Sequence, residues 1–156
     1  MARLSILLLL FLCTASCLSL RPPMYYTDAR LQAEISNFFQ DCLGYFHRAQ
    51  CMPEVNVEVK VVDLPGTTLG ICTIYADNTL KIQIDTSVVD SPIRKLVVYH
   101  ELMHCVFDIE HYDDDVDIMN KDSTNDEIII KNFDYFLQKA FTRIRLEMFQ
   151  RMLKRK

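Results

Sequence analysis

The sequence lacks a hydrophobic run long enough to cross a membrane. Its longest apolar stretch, residues 4–12, is about half of the roughly 20 residues that a transmembrane helix needs. This stretch follows Arg3 and precedes small residues at positions 14–16, which is the layout of a secretory signal peptide. We therefore predict that residues 1–19 are a signal peptide and that the protein is secreted.

Lipidation is the alternative for the same segment. Residues 14–17, Thr-Ala-Ser-Cys, loosely resemble a bacterial lipobox, which would make Cys17 the lipid-bearing first residue of the mature chain. The position that is usually leucine holds Thr14. The protein would then be periplasmic or attached to the cell envelope, and the lipid anchor would be its only contact with a membrane.

An excess of positive charge is also missing. Without Arg3, 16 of the 17 basic residues stand against 21 acidic ones, so the mature chain carries a net charge of −5. A negatively charged chain is repelled by nucleic-acid phosphates and by anionic bilayers. We therefore expect neither nucleic acid nor an anionic membrane surface as the main partner.

What the chain does contain is one series of predicted strands and helices. No internal repeat or low-complexity segment interrupts it, so residues 20–156 are predicted to form a single domain. Apolar residues recur at every second position in some segments and at helical spacing in others. The predicted strands are residues 55–61, 69–75 and 80–85, and the predicted helices cover residues 28–46, 92–107 and 125–153. The expected fold class is α+β.

Three of the four histidines fall in the run HELMHCVFDIEH, residues 100–111. His100 and His104 are four residues apart, so on a helix both imidazoles lie on one face and can share a metal ion. His111 is predicted to turn back as a third ligand. Three protein ligands leave a fourth tetrahedral position for water, as in catalytic zinc sites. Glu101 lies where a carboxylate can take a proton from a water that the Zn²⁺ activates.

This run resembles the motif of the metzincin metallopeptidases. Their pattern is HExxH, then a glycine and a third histidine, with a methionine-bearing turn beneath the metal. His100, His104 and His111 match the three metal ligands of that motif, and Glu101 matches its general base. Residues 117–120, Asp-Ile-Met-Asn, are similar to the turn, with Met119 as its methionine. The resemblance covers residues 92–120 well and the segment before them loosely.

The third histidine departs from the spacing of that family. The family places it six positions after the second histidine, whereas His111 comes seven positions after His104. Phe107 and Asp108 stand where the family has a glycine, whose positive φ lets the chain leave the helix. Aspartate tolerates that conformation better than most residues, so we expect the chain to turn at Asp108.

Three further residues have two interpretations each. Glu127 is the alternative third metal ligand, as in thermolysin-like enzymes, or an acid favoured at a helix N-terminus. Tyr112 is a candidate hydrogen-bond donor to a developing oxyanion, or an ordinary exposed tyrosine. Met119 belongs either to the methionine turn or to plain core packing.

Four cysteines follow the predicted signal peptide, and an oxidising compartment would let them pair in three ways. A bond between Cys42 and Cys51 is the pairing we favour, because it would tie the end of the first helix to the next loop. Cys105 is interpreted as a small buried hydrophobe. The alternative is that Cys105, next to His104, tunes the metal site.

The resemblance implies a minimal zincin-like domain. Its small, mostly parallel sheet with an antiparallel edge strand would pack on an N-terminal helix and the active-site helix, followed by a long C-terminal helix. It also implies a zinc-dependent peptidase that binds a peptide or protein substrate along the edge strand, for which residues 70–75 are the candidate. The alternatives are a zinc protein that captures a peptide or partner without cleaving it, and a helical interaction protein with incidental histidines.

Overall fold

The computed structural model of the protein describes residues 25–52, 56–113, 116–120 and 126–154. The predicted signal peptide and Cys17 lie outside these residues. Among the helices of the described ranges, none combines the length and the apolar character that crossing a membrane requires.

Four strands form one mixed sheet in the order β1-β2-β4-β3. The strands are β1 (Tyr25–Thr27), β2 (Val57–Val62), β3 (Gly70–Ile74) and β4 (Leu80–Asp85). The pairs β1–β2 and β2–β4 are parallel, and β3 pairs antiparallel with β4. Alternation predicted β2 and β4 correctly because Val59, Ile82 and Ile84 are buried on one face of the sheet. The α+β class and the antiparallel edge strand are therefore confirmed.

Strands β3 and β4 form the hairpin that the sequence predicts. Cys72 lies opposite Ile82 in the register. The turn is closed by the Tyr75 backbone N–H, which donates to the Thr79 carbonyl at 2.9 Å. Asn78 takes a φ of 64° there, a conformation that asparagine tolerates. No strand of the described residues pairs with the other side of β3, so it is an edge strand.

Five α-helices complete the described chain. They are α1 (Gln32–Leu43), α2 (Arg48–Cys51), α3 (Arg94–Phe107), α4 (Asp126–Lys131) and α5 (Phe133–Lys154). The carboxylate of Asp28 accepts a hydrogen bond from the Arg30 N–H and so caps the short 3-10 turn that leads into α1. The start predicted at Pro92 is two residues early, because residues 92–93 form a turn before α3.

The single long C-terminal helix of the prediction is two helices, α4 and α5. The interruption is at Asn132, whose side-chain amide donates to the Ile128 carbonyl at 3.0 Å. Asparagine competes for backbone partners in this way and so weakens a helix locally. Helix α5 still provides the long C-terminal element, over 22 residues.

The core joins helices α1, α3 and α5. Phe38 of α1 lies edge-on to Tyr99 of α3 with ring centroids 5.2 Å apart, and 6.0 Å from the ring of Phe141 on α5. All three side chains are almost completely buried. Edge-to-face aromatic pairs add to the free energy gained by burial, so the Phe38–Tyr99 contact stabilises the packing of α1 on α3.

Two disulfide bonds cross-link the domain. Cys42 and Cys51 form the bond that the sequence favours, between α1 and α2. Cys72 pairs with Cys105, which attaches strand β3 to helix α3. Cys105 is buried in the core, as its interpretation as a small hydrophobe predicts, but it forms a disulfide and is not a free thiol. The second bond fixes the edge strand to the helix that carries the histidines.

Candidate metal site and cavity

Helix α3 places His100, Glu101 and His104 on its last two turns and ends at Asp108. This residue has φ 51° and ψ 55°, and its backbone N–H donates to the His104 carbonyl. Asp108 is therefore the turning point that the sequence predicts in place of the glycine of the metzincin motif. The chain then leads back so that His111 meets the other two histidines.

The three imidazoles converge through their Nε2 atoms. The Nε2 atom of His104 is 3.0 Å from that of His100 and 3.2 Å from that of His111, and the third distance is 3.1 Å. Three nitrogens bound to a tetrahedral zinc at about 2.0–2.1 Å are separated by roughly 3.4 Å. The histidine triad therefore has the dimensions of one face of a tetrahedral metal site.

Backbone carbonyls orient two of the three rings. The Nδ1 atom of His100 is 2.7 Å from the Ile118 carbonyl oxygen, and that of His104 is 2.5 Å from the Ile109 carbonyl oxygen. A carbonyl only accepts hydrogen bonds, so each Nδ1 carries the proton and the neutral ring keeps a lone pair on Nε2. This is the tautomer that outer partners select in metal sites.

Electrostatics at the triad also fit a cation. Burial, together with the neighbouring His104 and His111, lowers the pKa of His100 to about 4 against the opposing effect of the hydrogen bond to the Ile118 carbonyl. The ring is therefore neutral at pH 7, which is the form that binds metals. A shared cation would bind the Nε2 atoms of all three rings, which already lie 3.0–3.2 Å apart. These residues fit a zinc ion.

Glu101 lies between helix α3 and the edge strand β3. Burial raises its pKa to about 7, while a hydrogen bond from the backbone of Cys72 acts in the opposite direction. A Cβ atom added to Gly70 would lie only 2.6 Å from the Cγ atom of Glu101. The absence of a side chain at Gly70 is therefore what gives this carboxyl its place against the strand.

The predicted methionine turn lies against the triad. Met119 is fully buried, its backbone N–H donates to the Asp117 carboxylate at 3.0 Å, and its carbonyl accepts from the Tyr112 N–H at 2.9 Å. The carbonyl of Ile118, in the middle of this turn, is the one that orients His100. The turn therefore supports one of the candidate ligands directly.

An ion pair missed by the sequence analysis holds this turn. The Asp117 carboxylate is completely buried and lies 3.3 Å from the Lys139 ammonium of helix α5. Lys139 also donates to the Val116 carbonyl at 2.9 Å. No local signal connects residues 22 positions apart in the sequence, so only the fold brings them together.

We expect Lys139→Met to lower the free energy of unfolding by about 1–3 kcal/mol, because a buried carboxylate would lose its countercharge. Urea denaturation at a fixed zinc concentration measures this loss. Lys131→Met is the matched control, since its ion pair with Glu127 is exposed and such pairs contribute little. Equal stability of the Lys139 variant and the native protein would contradict this role.

Two residues considered for the site lie elsewhere. The Glu127 side chain is 90% exposed and faces Lys131, and it is not part of the histidine triad. Tyr112 is buried, with its ring 3.7 Å from the guanidinium carbon of Arg143 on helix α5, and it does not line the cavity beside the triad. The exposed-loop interpretation of Tyr112 is therefore wrong, because its side chain is buried. In the described residues, Glu127 is not grouped with the triad and Tyr112 does not line the cavity beside it.

A cavity of about 530 Å³ adjoins the triad. Residues 67–70 form one wall, helix α3 forms another, and the methionine turn and helix α4 contribute the rest. His100, Glu101 and His111 all line it. Two of the three candidate ligands and the buried carboxyl therefore border one cavity.

The described residues thus combine three converging imidazoles, a buried carboxyl group and a cavity that reaches both. This combination can hold a metal ion and exchange a proton next to it. No protein-family model, curated protein or solved structure matches the chain.

Proposed function

We propose that the protein is an exported zinc-dependent peptidase of metzincin-like type. The observation that carries the proposal is the convergence of the Nε2 atoms of His100, His104 and His111 to within 3.0–3.2 Å of one another. Glu101 is buried and follows His100 directly in the sequence. A closed structural zinc site needs no base, so this carboxyl favours a catalytic site over a structural one. Two disulfides support export to an oxidising compartment.

The chain's own residues would divide the chemistry among them. A zinc ion held by the triad would supply Lewis acidity to a water molecule and to the substrate carbonyl. Glu101 would accept the proton of that water during attack and return it to the leaving amine. Glu101 suits both roles because its carboxyl is buried next to the ligand His100 in the sequence and borders the same cavity.

Strand β3 is the proposed docking edge for the substrate. Among the described residues no strand pairs with its outer edge, although the Cys72 backbone donates to the Glu101 carboxyl. An extended peptide can add to such an edge as a further strand. Gly70 at its start contacts Glu101, and the Cys72–Cys105 bond fixes it to helix α3. A peptide held there would present its backbone to the proposed base.

Peptide-library digestion by the purified mature protein tests the proposal. We expect cleavage in the presence of one equivalent of zinc, loss of cleavage after chelation, and recovery when zinc is restored. Mass spectrometry of the products identifies the cleaved bonds. Stoichiometric zinc binding without cleavage of any peptide would instead favour a zinc protein that only captures its partner.

A methyl group at position 70 should disturb the proposed base without removing the metal. We expect Gly70→Ala to lower turnover by about 10- to 100-fold, because displacing a catalytic group by about 1 Å has effects of this size. Zinc content should be unchanged. Gly44→Ala is the control, since Gly44 ends helix α1 at an ordinary φ of −70°. Full activity of Gly70→Ala would show that Glu101 does not need its present position.

A further inference from the structure

Part of the cavity beyond the triad has mainly apolar walls. Leu96 and Val97 lie about one turn before His100 on helix α3, and Ile129 of helix α4 also lines the space. Asp126, at the start of α4, lines the same cavity. A carboxyl group therefore shares this space with three aliphatic side chains.

The other carboxyl groups that line the cavity already have a partner or a proposed role. Asp117 faces Lys139 at 3.3 Å, and Glu101 is the proposed base. For Asp126, the described part of the chain offers no hydrogen bond or ion pair, and burial alone raises its pKa. Among the described residues, no lysine or arginine lines the cavity. Asp126 is thus a partly desolvated acid that faces no basic side chain among the described residues lining the cavity.

A basic side chain of a substrate has the matching chemistry. Lysine and arginine carry an aliphatic stem that packs on apolar surface and a charged end that needs an anion. In this cavity, Leu96, Val97 and Ile129 would contact the stem. A buried charge is costly when it stands alone and is stabilised when an opposite charge reaches it.

We propose that Asp126 selects lysine or arginine at the substrate position that occupies this part of the cavity. The inference rests on the proposed peptidase function and names its substrate class, which is peptides with a basic residue close to the cleaved bond. Asp126 is a specificity-determining residue in this scheme and takes no part in the proton transfers.

Cleavage of matched peptides tests the inference. The peptides share one sequence and carry Arg, Lys, Met or Gln at the position next to the cleaved bond that the library identifies. We expect the basic peptides to be cleaved with about tenfold higher kcat/KM than the Met and Gln peptides. In Asp126→Asn this preference should fall to about twofold or less.

Glu127→Gln is the matched control for that variant. It removes the same charge from the next residue, whose side chain is exposed outside the cavity, so its preference for basic peptides should equal that of the native protein. An equal loss of preference in both variants would assign the effect to overall charge and overturn the role of Asp126. A native preference for Met, or one unchanged in Asp126→Asn, would overturn it as well.

A binding measurement separates this inference from the peptidase proposal. Fluorescence anisotropy of labelled Arg and Met peptides is measured on the zinc-loaded Glu101→Gln protein, with and without Asp126→Asn. We expect the Arg peptide to bind about tenfold more tightly, and only while Asp126 is present. Tight Asp126-dependent binding without any cleavage by the native protein would support the inference and reject the peptidase. Equal binding of both peptides, or no binding of either, would reject the inference.

Discussion

Replacing Glu101 by glutamine is expected to reduce peptide turnover at least about 100-fold, within the range of general acid–base catalysis. The amide has nearly the same shape but cannot accept a proton, so the site would lose its base and keep its packing against Gly70. The measurement is kcat/KM on the best library peptide, with zinc content determined on the same sample.

The zinc content makes this result interpretable. All three candidate ligands are intact in Glu101→Gln, so one equivalent of zinc should remain. Low turnover with one zinc bound assigns the loss to the base. Activity close to that of the native protein would show that another group takes the proton, and the catalytic role of Glu101 would have to be abandoned.

Replacing His111 by alanine is expected to weaken zinc binding by more than the roughly 10- to 100-fold that the loss of an outer partner causes. A direct ligand would be missing, and His100 and His104 alone would hold the ion. Competition with a chromophoric chelator measures the affinity. Native-like affinity in this variant would remove His111 from the proposed site.

Thermal stability gives an independent measure of the same loss. Zinc at about 100 times its Kd should stabilise the native protein by about 2.7 kcal/mol, and the same zinc concentration should stabilise His111→Ala much less. Glu127→Ala serves as the control, because the exposed Glu127 lies outside the triad. If Glu127→Ala and not His111→Ala lost the zinc, the alternative ligand assignment would be restored.

The sequence predicted the parts of the site that depend on local geometry. A spacing of four residues places His100 and His104 on one helix face whatever surrounds the helix. Asp108 was predicted as the turning point because few residues other than glycine tolerate a positive φ, and it has one, at 51°. The hairpin of β3 and β4 follows from alternation and a short polar turn.

The parts that the sequence did not predict depend on contacts between distant segments. The Cys72–Cys105 bond requires strand β3 to lie beside helix α3, and the two cysteines are 33 residues apart. The Asp117–Lys139 pair requires helix α5 to pass beneath the methionine turn. Such tertiary contacts leave no periodic signal in the chain, so spacing arguments do not reach them.

Tyr112 illustrates the same limit for a single side chain. Its position next to His111 suggested a role at the substrate. Arg143, on helix α5, lies over its ring instead, with the guanidinium carbon 3.7 Å from the ring centroid. Burial and the nearby Glu147 raise the pKa of Tyr112. His111 therefore belongs to the triad, whereas Tyr112, the next residue in the sequence, lies in the core.

X-ray absorption spectroscopy at the zinc edge tests the central claim most directly. On the purified protein loaded with one equivalent of zinc, we expect a four-coordinate site with three imidazole nitrogens and one further light atom at about 2.0–2.1 Å. The His111→Ala protein should show one imidazole fewer. A spectrum with sulfur ligands, or with fewer than three imidazoles in the native protein, would contradict the proposed site.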